Sequence, residues 1–261
     1  MDSYALFFDI DGTLVSFKTH EIPPSTILAL TQAKANGHKV FIATGRPPLI
    51  ITNLGAIEHL IDGYVTINGA LVYVGKEMVC CKDIPIEAAK LFVDDAIKKN
   101  YGLIVVGERD VAVFDPHGEV DQIFRQEIAV KNLNLAKPIE EVLKQRILQL
   151  TSFFKEDYET ELMARFPTCT SGRWHPAFTD ITAKGADKGE GIRVMARHMG
   201  FDPQYTMAFG DGGNDSSMIV TAGIGVAMGN AIDSLKQQAD YVTTSVDEDG
   251  VLKALKHFKL I

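Results

Sequence analysis

The sequence predicts an α/β protein with a doubly wound, mainly parallel core sheet and an α/β domain inserted into it. Two patterns carry this reading. Apolar runs of strand length, such as "YALFFDI" and "HKVFIAT", are continuous rather than alternating, as expected of strands covered on both faces. Helical patterns separate them, and strand, helix, strand in succession is how a parallel sheet is wound.

In chain order, "YALFFDI" is the first strand. Pro23, Pro24 and Ser25 mark a helix entry, and Ile27, Leu28, Leu30 and Thr31 begin a stripe that runs to Gly37. "HKVFIAT" is the second strand, a further helix is expected after Pro47 and Pro48, and "DGYVTINGALVYV" reads as a third strand and a hairpin. The alternation returns late in the chain. A helix over 189–199 is followed by the strand "YTMAFGD", a helix from Asn214, the strand "GIGVAMG", a helix from Ala231, the short strand "YVTTS" and a last helix over 250–258. Residues 1–80 and 186–261 are therefore expected to form one domain. Residues 81–185 carry their own helix, "IEAAKLFVDDAIKKN", and their own strands, "GLIVVGE", "VAVFDP" and "RILQLTSFF". A segment of that size can bury a small core and is expected to be the inserted domain.

Composition narrows the partners. The chain has 261 residues, is 46% hydrophobic and carries a net charge of −8, without a basic block to track a phosphate backbone, so nucleic acid is not expected. Cys80, Cys81 and Cys169 are odd in number and lack metal-ligand spacing, which suits a reducing cytoplasm. The start lacks the basic region of a signal peptide, and the apolar runs are shorter than the ~20 residues of a membrane span, so a cytoplasmic protein without a membrane partner is expected. Oligomeric state is left open.

In an open parallel sheet, ligands gather at the carboxyl ends of the strands. Asp9 and Asp11 follow the first strand, Thr44-Gly45-Arg46 the second, and "GDGGND" (210–215) a later one, while Lys188 opens the helix before it. Two carboxylates as close as Asp9 and Asp11 repel unless a cation or proton intervenes. Phosphoryl transfer would use all these groups. Asp9 and Asp211 would ligate Mg2+, Lys188 would offset negative charge, and the Thr44 hydroxyl with amides near Gly12 and Gly45 would donate to phosphoryl oxygens. Asp11 would manage protons on the leaving alcohol and the attacking water. Each motif alone has an ordinary explanation: an Asx-turn, a helix entry, a solvated lysine, a glycine-rich turn. Their conjunction is what carries the chemistry. "GIGVAMG" has the wrong glycine spacing for a dinucleotide loop.

"DIDGTLV", "TGR", "DKG" and "GDGGND", in this order, resemble the four motifs of the haloacid dehalogenase superfamily of aspartyl-phosphate phosphatases. "TINGA" (66–70), "GVAMGNA" (225–231) and a terminal "DEDGV" are similar to its Cof-like sugar phosphatase branch, which has a Rossmann-like core and an inserted α/β cap of the second type. The resemblance implies that Asp9 is the nucleophile and Asp11 the acid/base, its carbonyl also offered to magnesium. It further implies that Thr44, Gly45 and Lys188 bind the phosphoryl group, Asp211 ligates magnesium, Asn214 contacts phosphate or orders the site, Asp215 supports the metal's water shell, and Arg46 lies at the substrate edge. Lys184-Gly185 also resembles the lysine motif, but the spacing after the "IT" strand end favours Lys188. In the inserted domain, Arg173, Trp174 and His175 are candidates for stacking on a sugar and binding its hydroxyls. The expected activity is magnesium-dependent hydrolysis of small phosphate monoesters, hexose phosphates foremost. A phosphosugar mutase and a non-catalytic phosphosugar sensor are the rivals.

Overall fold

Thirteen strands organise the described residues, which in this computed structural model are 2–127 and 137–261. In chain order they are β1 (Ala5–Phe8), β2 (Lys39–Ala43), β3 (Gly63–Thr66), β4 (Leu71–Val74), β5 (Glu77–Cys81), β6 (Leu103–Gly107), β7 (Val111–Phe114), β8 (Ile147–Ser152), β9 (Cys169–His175), β10 (Phe178–Ala183), β11 (Thr206–Gly210), β12 (Ile224–Ala227) and β13 (Tyr241–Val242). They fall into two compact units, Met1–Gly45 with Asn53–Cys81 and Asp187–Ile261, and Arg46–Thr52 with Lys82–Ala186.

The first unit holds an eight-stranded sheet in the order β13-β12-β11-β1-β2-β3-β4-β5. The pairs from β13 through β3 are parallel and the last two are antiparallel. β1 lies inside this sheet, which is why all four of its side chains are fully buried. Phe7 stacks on Phe41 at 4.9 Å and Phe8 on Phe209 at 4.6 Å, tying β1 to both neighbours on opposite faces. Each such ring removed from water contributes about 1.5–3 kcal/mol. Phe7, Phe41 and Ala208 join a core with Ile192 and Met195 of the helix Lys188–Met199 and Met218 of the helix Ser216–Thr221.

Helix Lys188–Met199 is well specified at both ends: the Asp187 side chain accepts from Glu190 N, and Gly200 closes it at φ 75°. Between β3 and β4 the chain turns through Ile67, Asn68 and Gly69, all at positive φ (54°, 48° and 87°). A Cβ at Gly69 would overlap the carbonyl of Asp187, so this glycine sets how the turn meets the start of the lysine helix.

The second unit is a five-stranded antiparallel sheet, β7-β6-β8-β10-β9. One face packs on the helices Ile86–Lys99 and Glu156–Met163 through Phe92, Val93, Leu103, Leu150, Leu162 and Ile181. The carboxylate of Asp95 is satisfied by Tyr101 and Tyr158 hydroxyls and by Arg165. Burial and the bond to that carboxylate push the Tyr158 hydroxyl up to about 12.

Four expectations are corrected. The helix after Pro47 and Pro48 is a single 3-10 turn, Pro48–Ile50, which ends where Ile51 takes extended backbone at φ −83°, ψ 98°. That segment, Arg46–Thr52, groups with the second unit rather than with 1–80. The helix expected from Ala231 is one turn, Asp233–Lys236. The helix Ser216–Thr221 begins after a 3-10 turn at Gly213–Asp215. Strand β9 had no sequence reading of its own, and β10 was read only by its "IT" end. All three cysteines are free thiols. Among the described residues, no helix is long and apolar enough to cross a membrane.

Candidate active site

The site grows from the carboxyl ends of β1 and β11. Asp9 N bonds to Phe209 O at 3.0 Å, so the parallel ladder runs one residue past β1 and delivers the Asp9 carboxylate at the strand end. The chain then reverses: Gly12 N donates to Val15 O, and Leu14 and Val15 N donate to Ile10 O. Gly12 stands at φ 79°, and a Cβ there would overlap Asp211 Oδ2. Only glycine lets the first acidic loop approach the second this closely.

Lys188 Nζ lies 2.6 Å from Asp9 Oδ1 and 2.6 Å from Asp215 Oδ1, and the lysine is only 1% exposed. Asp215 uses its other oxygen to accept from Asp211 N at 2.8 Å and Gly212 N at 2.9 Å. The loop 210–215 thus folds around its own carboxylate, which fixes Asp211. Thr13 Oγ1 donates to Asp211 Oδ1 at 3.2 Å, and Asn230 Nδ2 donates to Asp211 Oδ2 at 3.2 Å and to Gly12 O at 2.8 Å. Asn230 Oδ1 in turn accepts from Val246 N.

A second group of residues sits around the turn after β3. Thr44 N donates to Val65 O and Asn68 N to Thr44 O, so Thr44 is buried against that turn. Asn214 Nδ2 donates to Asn68 Oδ1 at 3.1 Å, and a Cβ on Gly45 would come within 3.2 Å of the Asn68 amide and 3.5 Å of the Asn214 amide. Asn68, Asn214 and the Thr44-Gly45 backbone therefore form one polar cluster.

The electrostatics are those of a site with too much negative charge. Burial, opposed by Lys188 and assisted by Asp215 and Asp11, pushes Asp9 up to about 7. Burial, with Asp9 and Asp215 adding to it, pushes Asp211 up to about 8. Burial works against the Lys188 ammonium, but Asp215 and Asp9 more than offset it and hold its pKa above the usual lysine value. Carboxylate oxygens of Asp9, Asp211 and Asp215 lie within 4.8 Å of one another, a set of hard oxygen donors that fits a magnesium-class cation. Within that set Asp215 is the carboxylate held by an ammonium on one oxygen and by two backbone amides on the other.

Of the sequence-predicted residues, Asp9, Asp11, Thr44, Gly45, Lys188, Asp211, Asn214 and Asp215 all belong to the first unit. Lys188, not Lys184, is the lysine among the carboxylates. Arg46 belongs to the second unit, where its guanidinium donates to Ile50 O. Arg173, also in the second unit, pairs with Glu159 at 2.8 Å and donates to Phe154 O and Pro176 O. His175 stacks on Phe178 at 4.9 Å. The Trp174 side chain lies outside the described residues. Sequence reasoning missed Thr13, Asn68 and Asn230. Their signals were present in "DGTLV", "TINGA" and "GVAMGNA", but nothing in those strings assigns them a partner.

The sequence profile of the haloacid dehalogenase-like hydrolases matches residues 6–255. The chain is similar to the solved haloacid dehalogenase subclass IIB sugar phosphatase BT4131, at 49% identity and a TM-score of 0.93 over 99% of this chain and 100% of that one. It is 35% identical over the full length of both chains to the "Putative phosphatase YkrA" of Bacillus subtilis. It is 28% identical, over 98% of this chain and 97% of the relative, to the 5-amino-6-(5-phospho-D-ribitylamino)uracil phosphatase YitU of the same organism.

Proposed function

The chain belongs to the haloacid dehalogenase-like hydrolase family and is a phosphatase within it, and from that premise we propose that it hydrolyses small phosphate monoesters, hexose phosphates foremost, with magnesium and through an aspartyl phosphate at Asp9. The observation that carries the proposal is the buried constellation in which one lysine spans Asp9 and Asp215 while Asp211 stands beside them.

In this reading Asp9 attacks phosphorus in line, the bond from phosphorus to the alcohol oxygen breaks, and Asp11 gives that oxygen a proton. A water then attacks the aspartyl phosphate, Asp11 takes its proton, and orthophosphate leaves with Asp9 restored. Thr44, Lys188, Asn214 and the amides near Gly12 and Gly45 hold the phosphoryl oxygens. The Asp9 and Asp211 carboxylates and the Asp11 carbonyl would hold magnesium, which would supply charge neutralisation there. Asp215 positions Lys188 and the 211–212 amides, a more direct task than ordering metal-bound water. The second unit serves as the substrate-selecting cap. Similarity to a sugar phosphatase, and to a relative whose substrate is a phosphorylated ribityl compound, supports polyhydroxyl esters as the class.

The test is phosphate release from hexose phosphates, a pentose phosphate, a nucleotide and a phosphoamino acid, with magnesium and with chelator. Metal-dependent release concentrated on the sugars is expected. Transfer of phosphate between sugar positions without net release would replace hydrolysis by a mutase, and binding without turnover would make the chain a sensor.

A further inference from the structure

The turn between β3 and β4 holds a conformation that its residues resist. Ile67 and Asn68 stand at φ 54° and 48°, and a β-branched residue in the left-handed region is an outlier. Ile67 is fully buried, its carbonyl accepts from Ala70 N at 2.9 Å, and Asn68 N donates to Thr44 O at 3.0 Å. Packing and two backbone bonds therefore impose the conformation. Strained backbone of this kind clusters at active sites and ligand clamps. Here it delivers one side-chain amide.

Asn68 is half-buried, and its Oδ1 accepts from Asn214 Nδ2 at 3.1 Å. With the oxygen engaged, Nδ2 still offers its N–H donors, and among the described residues no group accepts from them. The amide lies against Gly45: a Cβ there would come within 3.2 Å of both Asn68 Nδ2 and Oδ1 and within 3.5 Å of Asn214 Nδ2. Any other residue at position 45 would crowd both amides, whereas glycine leaves them open. Asn68 thus stands between Thr44-Gly45 and Asn214, which hold the phosphoryl oxygens in the reading above, with a donor to spare.

We infer that Asn68 Nδ2 donates a hydrogen bond to a phosphoryl oxygen, making Asn68 a phosphoryl-binding residue in its own right as well as the partner of Asn214. A tetrahedral oxyanion accepts from several donors at once, so it suits a cluster in which two side-chain amides and the Thr44-Gly45 segment converge. The inference rests on the phosphatase reading and extends its donor set. An asparagine can also serve such a turn by conformation alone, because it visits the left-handed region more readily than most residues. Glycine does so at least as readily, and that separates the two roles.

The experiment measures the dissociation constant of inorganic phosphate by calorimetry with magnesium present, together with kcat/KM for a hexose phosphate. It compares the native protein, Asn68→Gly, Asn214→Ala and the double variant. Asn68→Gly should bind phosphate about tenfold or more weakly, the worth of one hydrogen bond to a charged group, and kcat/KM should fall by at least as much while the melting temperature changes little. The same loss should persist in the Asn214→Ala background, since the contact is direct. Native phosphate affinity in Asn68→Gly would overturn the inference and leave the asparagine to its backbone. A loss that vanishes in the Asn214→Ala background would also overturn it, reducing Asn68 to a residue that orients Asn214. Should Asn68→Gly fail to fold, Asn68→Asp keeps the left-handed tolerance and the acceptor for Asn214, and native phosphate affinity there counts equally against the inference. Ester turnover by the native protein with unchanged phosphate affinity in the variants would sink this inference alone; no phosphate release from any ester would overturn the underlying function, and this inference with it.

Discussion

Lys188 Nζ sits 2.6 Å from Asp215 Oδ1, and neither side chain has any exposed surface. A buried charge with one partner removed is expensive, on the order of 3–5 kcal/mol. Among the described residues the lysine is the cation that serves the three clustered carboxylates Asp9, Asp211 and Asp215. Lys188→Met is therefore expected to abolish phosphate release and to destabilise the metal-free protein by about that amount at pH 8.5. The loss should shrink at pH 5.5, where Asp9 and Asp211 carry protons and no longer need the ammonium. Denaturant melts at the two pH values check this, and equal losses at both would contradict it.

The raised carboxyls make metal binding and pH interdependent. Folding raises Asp9 to about 7 and Asp211 to about 8 from an ordinary 3.8, so the folded state holds protons that the unfolded chain has released. Their contribution to stability is fully present below the ordinary carboxylate value and is lost as pH rises through 7 and 8. The metal-free melting temperature should thus fall between pH 5.5 and 8.5, and magnesium, which needs both carboxylates ionised, should restore progressively more of it over the same interval. Asp211→Asn should raise the metal-free melting temperature at pH 8.5 and abolish the magnesium increment. Calorimetry with and without chelator reads both effects, and a pH-independent magnesium increment would show that these carboxyls do not hold the ion.

Asp9→Asn separates nucleophile from scaffold. The substituted amide would keep the size of the side chain and the backbone bond to Phe209 O while losing the attacking oxyanion. Phosphate release should fall at least about a thousandfold. The melting temperature at pH 8.5 should not drop, because a buried group that costs energy to ionise has been made neutral. Residual turnover near the native rate would remove the covalent route through Asp9.

The parts legible in the sequence are those where one residue type answers one local demand. "YALFFDI" has to be an interior strand, since Ala5, Leu6, Phe7 and Phe8 need cover on both faces, and they have it. Asp9, Asp211 and Lys188 were legible because strand ends of a parallel sheet converge. Residues whose role depends on a partner far along the chain were not. Asn68 acts through a positive φ and a bond to Asn214, 146 positions away, and Asn230 through Gly12, 218 positions away. The helix misplaced after Pro48 shows the converse. Its prolines do open a turn, as Pro23 and Pro24 open the helix Pro24–Ala35, but nothing in the string shows that Ile51 ends it in extended backbone.

Asn230 offers the sharpest test of how Asp211, the proposed metal ligand, is held. Its amide nitrogen touches Asp211 Oδ2 and Gly12 O, and its amide oxygen holds Val246 N, so one side chain joins the two acidic loops to the start of the turn Val246–Glu248. A residue that orients a ligand without binding the ion should govern affinity more than turnover, and losing such a partner typically weakens metal binding about 10–100-fold. Asn230→Ala should raise the magnesium concentration needed for half-maximal phosphate release by that factor, with kcat at saturating magnesium changed far less. Asn230→Asp should be worse without metal, because a further carboxylate then faces Asp211, and should recover more on adding magnesium. Titrating magnesium against turnover, alongside melting curves, distinguishes this from a purely structural role: a loss of stability with an unchanged magnesium requirement would leave Asn230 as scaffold alone.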